Sequence, residues 1–371
     1  MCYKSSSMKI AITGFSNSGK TTIFNAITGQ RLETAVYPSV GGEPHLAVVG
    51  VPDERVDRLS AIFKPKKTTY ATVDYIDYIG LTRGDQKQNA KVHALIKDAD
   101  ALLLVVRVFE DPAVMHPLGG ADPLRDLRSL EAELVLGDFL LVEKRLEGIE
   151  ESIKKGRKEK VSEAERTVLL KCRDCLEGER PLRELPLDPE ELKAIRHLEF
   201  LSIKPEVVLF NVAEDEAGGV KTEALIQAAS GILRERTAVF AMSGKIEMEL
   251  AQLAPEEQKA FLEDLKIEEP ALNRLIRISY GLLDLMSFFT AGEDEVKAWT
   301  IKKDTPAPRA AGKIHSDIEK GFIRAEVIAY DDFIVKSGGS MAEARKLGLL
   351  RLEGRDYLVR DGDIINFRFN I

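Results

Sequence analysis

Cysteine is almost absent from this chain, with three in 371 residues, at Cys2, Cys172 and Cys175. That scarcity excludes a scaffold built on disulfides. No apolar run approaches the ~18–20 residues that cross a bilayer as a helix, so no helical membrane span is expected. Positive charge is not in excess either: 53 Lys and Arg stand against 61 Asp and Glu, a net charge of −8. Such a balance argues against a surface that coats nucleic acid as a whole, while allowing a local basic patch. Residues 1–7 lack the apolar core of a signal peptide and read as a disordered leader, with Met8 a second candidate start. A cytoplasmic, disulfide-free protein is expected. Cys172 and Cys175 form a C-x-x-C, but zinc needs about four ligands and no second Cys/His pair lies nearby, so both are read as ordinary helix residues.

What is present is enough apolar residue, 44%, and enough length for two or three domains. Over residues 8–138 short β-rich runs alternate with helical patterns. The strand candidates are Lys9–Thr13, Leu46–Val51, Ala71–Ile76 and Leu102–Val106, and their alternation with helices implies a mostly parallel sheet. A different pattern follows. Val135, Phe139, Val142, Leu146, Ile149 and Ile153 recur at steps of four and three, and after the basic stretch Lys154-Lys155-Gly156-Arg157-Lys158 a second stripe runs Val161, Ala164, Val168, Cys172, Cys175. Two antiparallel helices joined at a basic tip account for it, as a short coiled coil or an ordinary helical hairpin. Strand patterns resume at Val207–Asn211 and Ala238–Met242, which makes the arm an insertion. From Val296 onward short strands (Val296–Ile301, Ala325–Ala329, Tyr357–Val359, Ile364–Phe369) suggest a small α+β domain. The expected division is a P-loop domain over 8–138 and 203–283, an inserted helical arm over 139–202, and a C-terminal domain over 284–371.

The chemistry is concentrated in "GFSNSGKTT", Gly14 to Thr22. Gly14, Gly19, Lys20 and Thr21 satisfy G-x-x-x-x-G-K-[ST] between a strand and a helix, the context in which backbone N–H groups and a helix N-terminus cradle phosphates. Lys20 would bridge the β- and γ-phosphates and Thr21 would ligate Mg²⁺. Asn17, Ser18, Gly19 and Thr22 complete the loop. Asp77-x-x-Gly80 ends an apolar strand: Asp77 would hold Mg²⁺ through water and the Gly80 N–H would sense the γ-phosphate, or Asp77 is a plain turn cap. GTPases of this class read guanine with Asn-Lys-x-Asp, whose Asp accepts from guanine N1 and N2. Here the corresponding strand ends Asn211-Val212-Ala213-Glu214. Losing the Asp removes the reason to prefer guanine, and ATP is the expected nucleotide; the bland reading makes Asn211 a turn residue. Ser243, after the next strand, is placed with Asn211, Val212 and Glu214 among the nucleotide-binding residues. The position after D-x-x-G, where Ras-like enzymes carry a water-orienting Gln, is Leu81. Intrinsic turnover should be slow.

Together these residues resemble the YchF/Obg-like ATPase family. The carriers are Gly14–Thr22 followed by Phe24-Asn25-Ala26, then Asp77-x-x-Gly80-Leu81 and Asn211-x-x-Glu214. Above all they are the C-terminal stretches "FFTAGEDEVKAWTI", "AAGKIHSDIEKGFIRAEVIAY" and "RDYLVRDGDIINFRFN". The resemblance implies an α/β Ras-like P-loop domain with an inserted helical hairpin, and a C-terminal β-grasp (ubiquitin-like) TGS domain. It also implies ATP preferred over GTP, Mg²⁺, and association with the ribosome (its large subunit) or RNA. By the same resemblance Asn17 is the type that ligates K⁺ beside the phosphates. His116 matches a family His and becomes a candidate water-orienting residue, with a solvent-facing loop His as the alternative.

Two stretches depart from the family pattern. Tyr37-Pro38-Ser39-Val40-Gly41-Gly42-Glu43-Pro44 carries Gly41 where the family has a phosphate-sensing Thr. The family's Gly-rich segment after Gly84 is replaced by Asp85-Gln86-Lys87-Gln88-Asn89. Two functions are therefore kept: an ATPase switch controlling ribosome or RNA association, and a nucleotide-gated binding module with negligible turnover. The arm and the C-terminal segment are each close to electrically neutral, and Lys154, Lys155, Arg157, Lys158 and Lys160 are the candidate phosphate contacts at the arm's tip.

Overall fold

A computed structural model describes residues 8–29, 44–155, 163–233, 235–264 and 267–370. The leader, the Ser39–Gly42 stretch, and Arg157, Lys158 and Lys160 of the tip lie outside the described residues. Strands are β1 Lys9–Thr13, β2 His45–Gly50, β3 Lys67–Thr69, β4 Thr72–Asp77, β5 Ala101–Arg107, β6 Glu206–Asn211, β7 Thr237–Met242, β8 Leu285–Ala291, β9 Glu295–Lys302, β10 Phe322–Ala329, β11 Arg351–Glu353 and β12 Asp363–Phe369. The helices that matter below are α1 Lys20–Thr28, α2 Glu54–Phe63, α3 Gln86–Ile96, α4 Pro123–Lys154 and α5 Glu163–Glu177. Two compact units result, one of residues 1–48 and 74–275, the other of 49–73 and 276–371.

The first unit is built on a sheet of order β2-β4-β1-β5-β6-β7. Its central pairs are parallel: β1 with β4 and β5, β5 with β6, and β6 with β7. Parallel strands covered on both faces need continuous apolar runs, and β5, "ALLLVVR", is buried at every position. The register puts Ile12 opposite Asp77 and Arg107 opposite Asn211. The end of β1 is therefore flanked by the acid on one side and by Arg107 and Asn211 on the other.

α4 is one helix of 32 residues, opened by Asp122, whose carboxylate accepts from the Arg125 N–H. Leu127, Leu130 and Leu134 belong to the core beneath the sheet. From Val135 onward the same helix faces α5, with Val142, Leu146 and Ile149 against Val168, Leu169, Cys172 and Cys175. The arm thus has no joint at 139; it is the outer part of a helix rooted in the α/β core. Cys172 and Cys175 are core residues of the arm, and burial pushes the Cys172 thiol up to about 12, far from metal-ligating or redox-active thiolate.

In the second unit the sheet order is β11-β10-β12-β8-β9-β3, an α+β arrangement with a core of Phe288, Val327, Ile365 and Phe367. Tyr357–Val359 is not a strand; Leu358 makes an isolated bridge to Pro306. The larger difference from the expected division concerns residues 49–73. β3 pairs in parallel with β9, and Arg55 of α2 lies over the Phe289 ring while bridging Asp53 and Asp361 at 2.8 and 2.7 Å. These contacts place a segment expected in the P-loop domain with the C-terminal one. The first unit correspondingly ends at Leu275, not 283.

Candidate functional site

Between β1 and α1 the chain takes backbone angles that most residues avoid. Asn17 has φ +61° and Gly19 φ +92°. A Cβ on Gly19 would lie 2.2 Å from Asn211 Nδ2, so both conformation and space require glycine here. α1 has no acidic residue in its first turn and no side-chain cap, whereas α2 and α4 are each capped by an Asp. Its first N–H groups are left for an anion.

Lys20, 9% exposed, donates to Phe15 O at 2.8 Å. Burial lowers its pKa to about 8, against the pull of Asp77. The Thr21 hydroxyl donates to Asp77 Oδ2 at 2.9 Å. Asp77 Oδ1 is buried without a hydrogen-bond partner among the described residues. Burial raises the Asp77 pKa, partly offset by Lys20, Thr21 and His45. A hydroxyl beside a buried carboxylate with one unsatisfied oxygen is a donor set of the kind hard cations take, so these residues fit Mg²⁺. Gly80 packs onto the loop: a Cβ there would meet Lys20 Nζ at 2.7 Å and Gly14 O at 2.9 Å.

These groups form one end of a cavity of about 730 Å³ that continues to Asn211, Val212, Glu214, Ser243 and Lys245. β6 and β7 lie two and three strands from β1, roughly 10 and 14 Å at the usual strand spacing, the distance from a phosphate to a base. The Asn211 amide is a structural tie as well: Nδ2 donates to Ser18 O at 3.1 Å and Oδ1 accepts from the Gly244 N–H at 3.0 Å. Nδ2 has a second hydrogen to offer. Glu214 forms an ion pair with Lys245, both side chains half-exposed.

Most of the expected site residues meet here: Asn17, Gly19, Lys20, Thr21, Thr22, Asp77, Gly80, Asn211, Val212, Glu214 and Ser243 all line the cavity. Ser18 does not; its side chain is buried and it contributes main chain. Leu81, where a Gln would orient water, is fully buried in the core under the sheet. His116 also departs from expectation. It is absent from the cavity lining; its Nδ1 accepts from the Leu118 N–H at 3.1 Å and its Nε2 lies 3.0 Å from Asp126 of α4. Burial lowers its pKa, opposed by Asp126 and assisted by Arg107 and Arg125.

Several residues at the site were not read from the sequence. Arg107 stacks on Phe109 at 4.4 Å and donates to Phe109 O, Val114 O and Asp111 O at 3.0–3.3 Å, fixing the loop after β5. That loop returns to the phosphate loop through Met115 O, which accepts from Asn17 Nδ2 at 3.0 Å. A cation ending an apolar strand beside Asn211 was the available signal. Lys245 and His45 had none.

Comparison with known proteins then decides the family. Residues 9–136 match the family described as 50S ribosome-binding GTPase, and residues 285–370 match the C-terminal domain of YchF GTPases, described as a protein of unknown function. Over 367 residues the chain is 41% identical to the ribosome-binding ATPase YchF of Bacillus subtilis, covering 97% of this chain and 98% of that one. The chain belongs to the YchF family. The ribosome-binding ATPase YchF of Haemophilus influenzae is 42% identical over 366 residues, 98% of this chain and 99% of that one. The structure of the Schizosaccharomyces pombe YchF GTPase superposes with a TM-score of 0.81 at 31% identity, over 97% of both chains. The fold is accordingly that of the family, an α/β P-loop domain carrying a helical arm and a C-terminal YchF domain.

Proposed function

We propose that this chain is a Mg²⁺-dependent ATPase switch, binding ATP in preference to GTP and hydrolysing it slowly, whose nucleotide state sets its association with the ribosome. The observation that carries this reading is the cavity with Lys20 and the Thr21–Asp77 pair at one end and Asn211, Glu214 and Ser243 at the other. The N–H groups at the start of α1 and the Lys20 ammonium hold the phosphates. Thr21 and Asp77 would hold Mg²⁺, which neutralises charge on the β- and γ-phosphate oxygens. Asn17 spends its amide nitrogen on Met115 O, leaving its carbonyl oxygen for a K⁺ ion. Glu214 replaces the Asp that accepts from guanine N1 and N2 with a longer side chain engaged by Lys245, and its carboxylate can accept from the adenine 6-amino group.

Slow turnover follows from two positions. Leu81 is turned into the core, and His116 is held at Asp126, so neither orients an attacking water in this conformation. That supports keeping the second reading, a nucleotide-gated binding module. Relatives named ribosome-binding ATPase, and the 50S ribosome-binding description of the N-terminal match, support the large ribosomal subunit as partner. Lys154, which ends α4, and the C-terminal unit, read as a TGS domain of β-grasp type, are the proposed contact surfaces. Among the described residues no helix is long and apolar enough to cross a membrane, and the proposed place of action is the cytoplasm. The test is phosphate release from Mg·ATP in K⁺ and in Na⁺. Release that depends on K⁺ and stops in Lys20→Ala supports the ATPase. Tight ATP binding without release leaves the gated module.

A further inference from the structure

Past Gly80 the chain makes a tight turn held at both ends by buried side chains. Asn89 Oδ1 accepts from the Thr82 N–H at 2.9 Å, and Asn89 Nδ2 donates to Thr82 O at 2.8 Å. The Gly84 N–H donates to Glu133 Oε1 at 2.8 Å, and Glu133 Oε2 accepts from Asn89 Nδ2 at 2.7 Å. Asn89 is 2% exposed and Glu133 9%. Among the described residues no Lys or Arg forms an ion pair with Glu133; these amide hydrogen bonds, with His93 close enough for Glu133 to pull its pKa up against burial, compensate a desolvated carboxylate. An apolar residue would hold α4 against α3 at lower cost. A carboxylate at this position is explained by what it grips, both ends of the turn that follows the γ-phosphate-sensing glycine.

The grip reaches Gly80 itself. Leu81 N–H donates to Gly14 O at 2.9 Å and Gln88 Nε2 donates to Gly80 O at 3.3 Å, so a displacement of Gly80 is carried into Thr82–Gly84 and from there to Glu133. What looked in sequence like a lost Gly-rich segment, Asp85–Asn89, is the capped start of α3 and supplies half of this clamp. On the other side Glu133 sits on α4, which continues unbroken into the arm. The arm's return segment is fastened to the same helix: Asp138 accepts from the Leu201 and Ser202 N–H groups at 3.0 and 2.7 Å. From Glu133 to Lys154 is about 32 Å of helix, so each degree of tilt moves the far end by about 0.5 Å.

We propose that Glu133 is a positioning residue: it ties the loop after Gly80 to α4, so that the nucleotide bound in the pocket sets the state of the arm. The proposal rests on the nucleotide reading given above. The test is hydrogen exchange of α4 residues 139–154 and α5 residues 163–177 in the full chain, with Mg·ADP and with Mg²⁺ and a non-hydrolysable ATP analogue. In the wild type, exchange there differs about fivefold or more between the two nucleotides, the size of an ordinary coupling free energy. In Glu133→Gln only one of the two side-chain atoms still accepts, so either the Gly84 N–H or Asn89 Nδ2 is left facing a donor, and the difference shrinks below about twofold while both nucleotides still bind. A merely structural role would instead change protection of the arm equally with both nucleotides and leave their ratio as in the wild type. Should Glu133→Gln fold poorly, Asn89→Asp alone breaks the same link from the other side with the same expected loss. Retention of the wild-type difference in these single variants overturns the proposal. So does a wild type that binds both nucleotides with no change in the arm. A wild type that binds neither ATP nor GTP overturns the nucleotide reading instead, and the two failures are told apart by calorimetry.

Discussion

At one end of the pocket Lys20, Asp77 and Gly80 are buried: Lys20 donates to Phe15 O, Asp77 accepts from the partly buried Thr21, and Gly80 leaves no room for a Cβ beside the loop and the lysine. At the base end Glu214 and Lys245 are 48% and 63% exposed and hold mainly each other. Buried groups act in a low dielectric, where a charge or a hydrogen bond is worth several times its value at the surface. Exposed pairs are screened. The two ends therefore divide the work. On the proposed reading, affinity would reside at the phosphates, whichever base is attached, and the base end would contribute a modest preference.

The strongest way to break that division is Lys20→Ala. Removing a buried charge-assisted donor should cost about 3 kcal/mol of binding, roughly a hundredfold, and the loss should be the same for ATP and GTP in calorimetric titrations. An unequal loss would mean that the two ends are not independent. Next is Asp77→Asn, which should weaken Mg²⁺ dependence about 10–100-fold, as for a group holding a metal from its second layer, read as the Mg²⁺ concentration giving half-maximal phosphate release.

A pH series sharpens the comparison further. Without nucleotide the Lys20 pKa is about 8. Bound phosphates raise it, so binding takes up a proton once the pH exceeds about 8, and ATP affinity should fall by up to about tenfold per pH unit above that value. Below it the affinity should be flat, and Lys20→Arg, always charged, should remove the slope. The smallest effect is expected at the base end. Lys245→Met frees Glu214 to accept from adenine and removes a donor that guanine O6 can use. The ATP-to-GTP affinity ratio should rise by no more than about fivefold.

The same contrast explains what the sequence revealed. The phosphate loop is nine consecutive residues whose spacing is dictated by one ligand, and β1 occupies Lys9–Thr13 as expected. Asp77 was legible because it closes an apolar strand at a fixed remove. Groups that meet only through the fold were not. β3 joins β9 across Thr68 and Val296, and no local pattern in Lys67–Thr69 announces a parallel partner so distant. Glu133 and Asn89 are ordinary helix residues until α3 and α4 pack. The arm's boundary was misplaced because apolar periodicity runs without interruption from Leu127 to Ile149 while the partner it faces changes from sheet to α5. His116 was assigned to the pocket by resemblance, and the ring turns instead to Asp126, a partner ten residues later that its loop sequence does not specify.

Parallel calorimetric titrations of ATP and GTP into the intact chain with Mg²⁺ read both ends of the pocket at once. Both nucleotides should bind, ATP the tighter, with both affinities falling together in Lys20→Ala. GTP binding tighter than ATP, or neither binding at all, would contradict the proposed function.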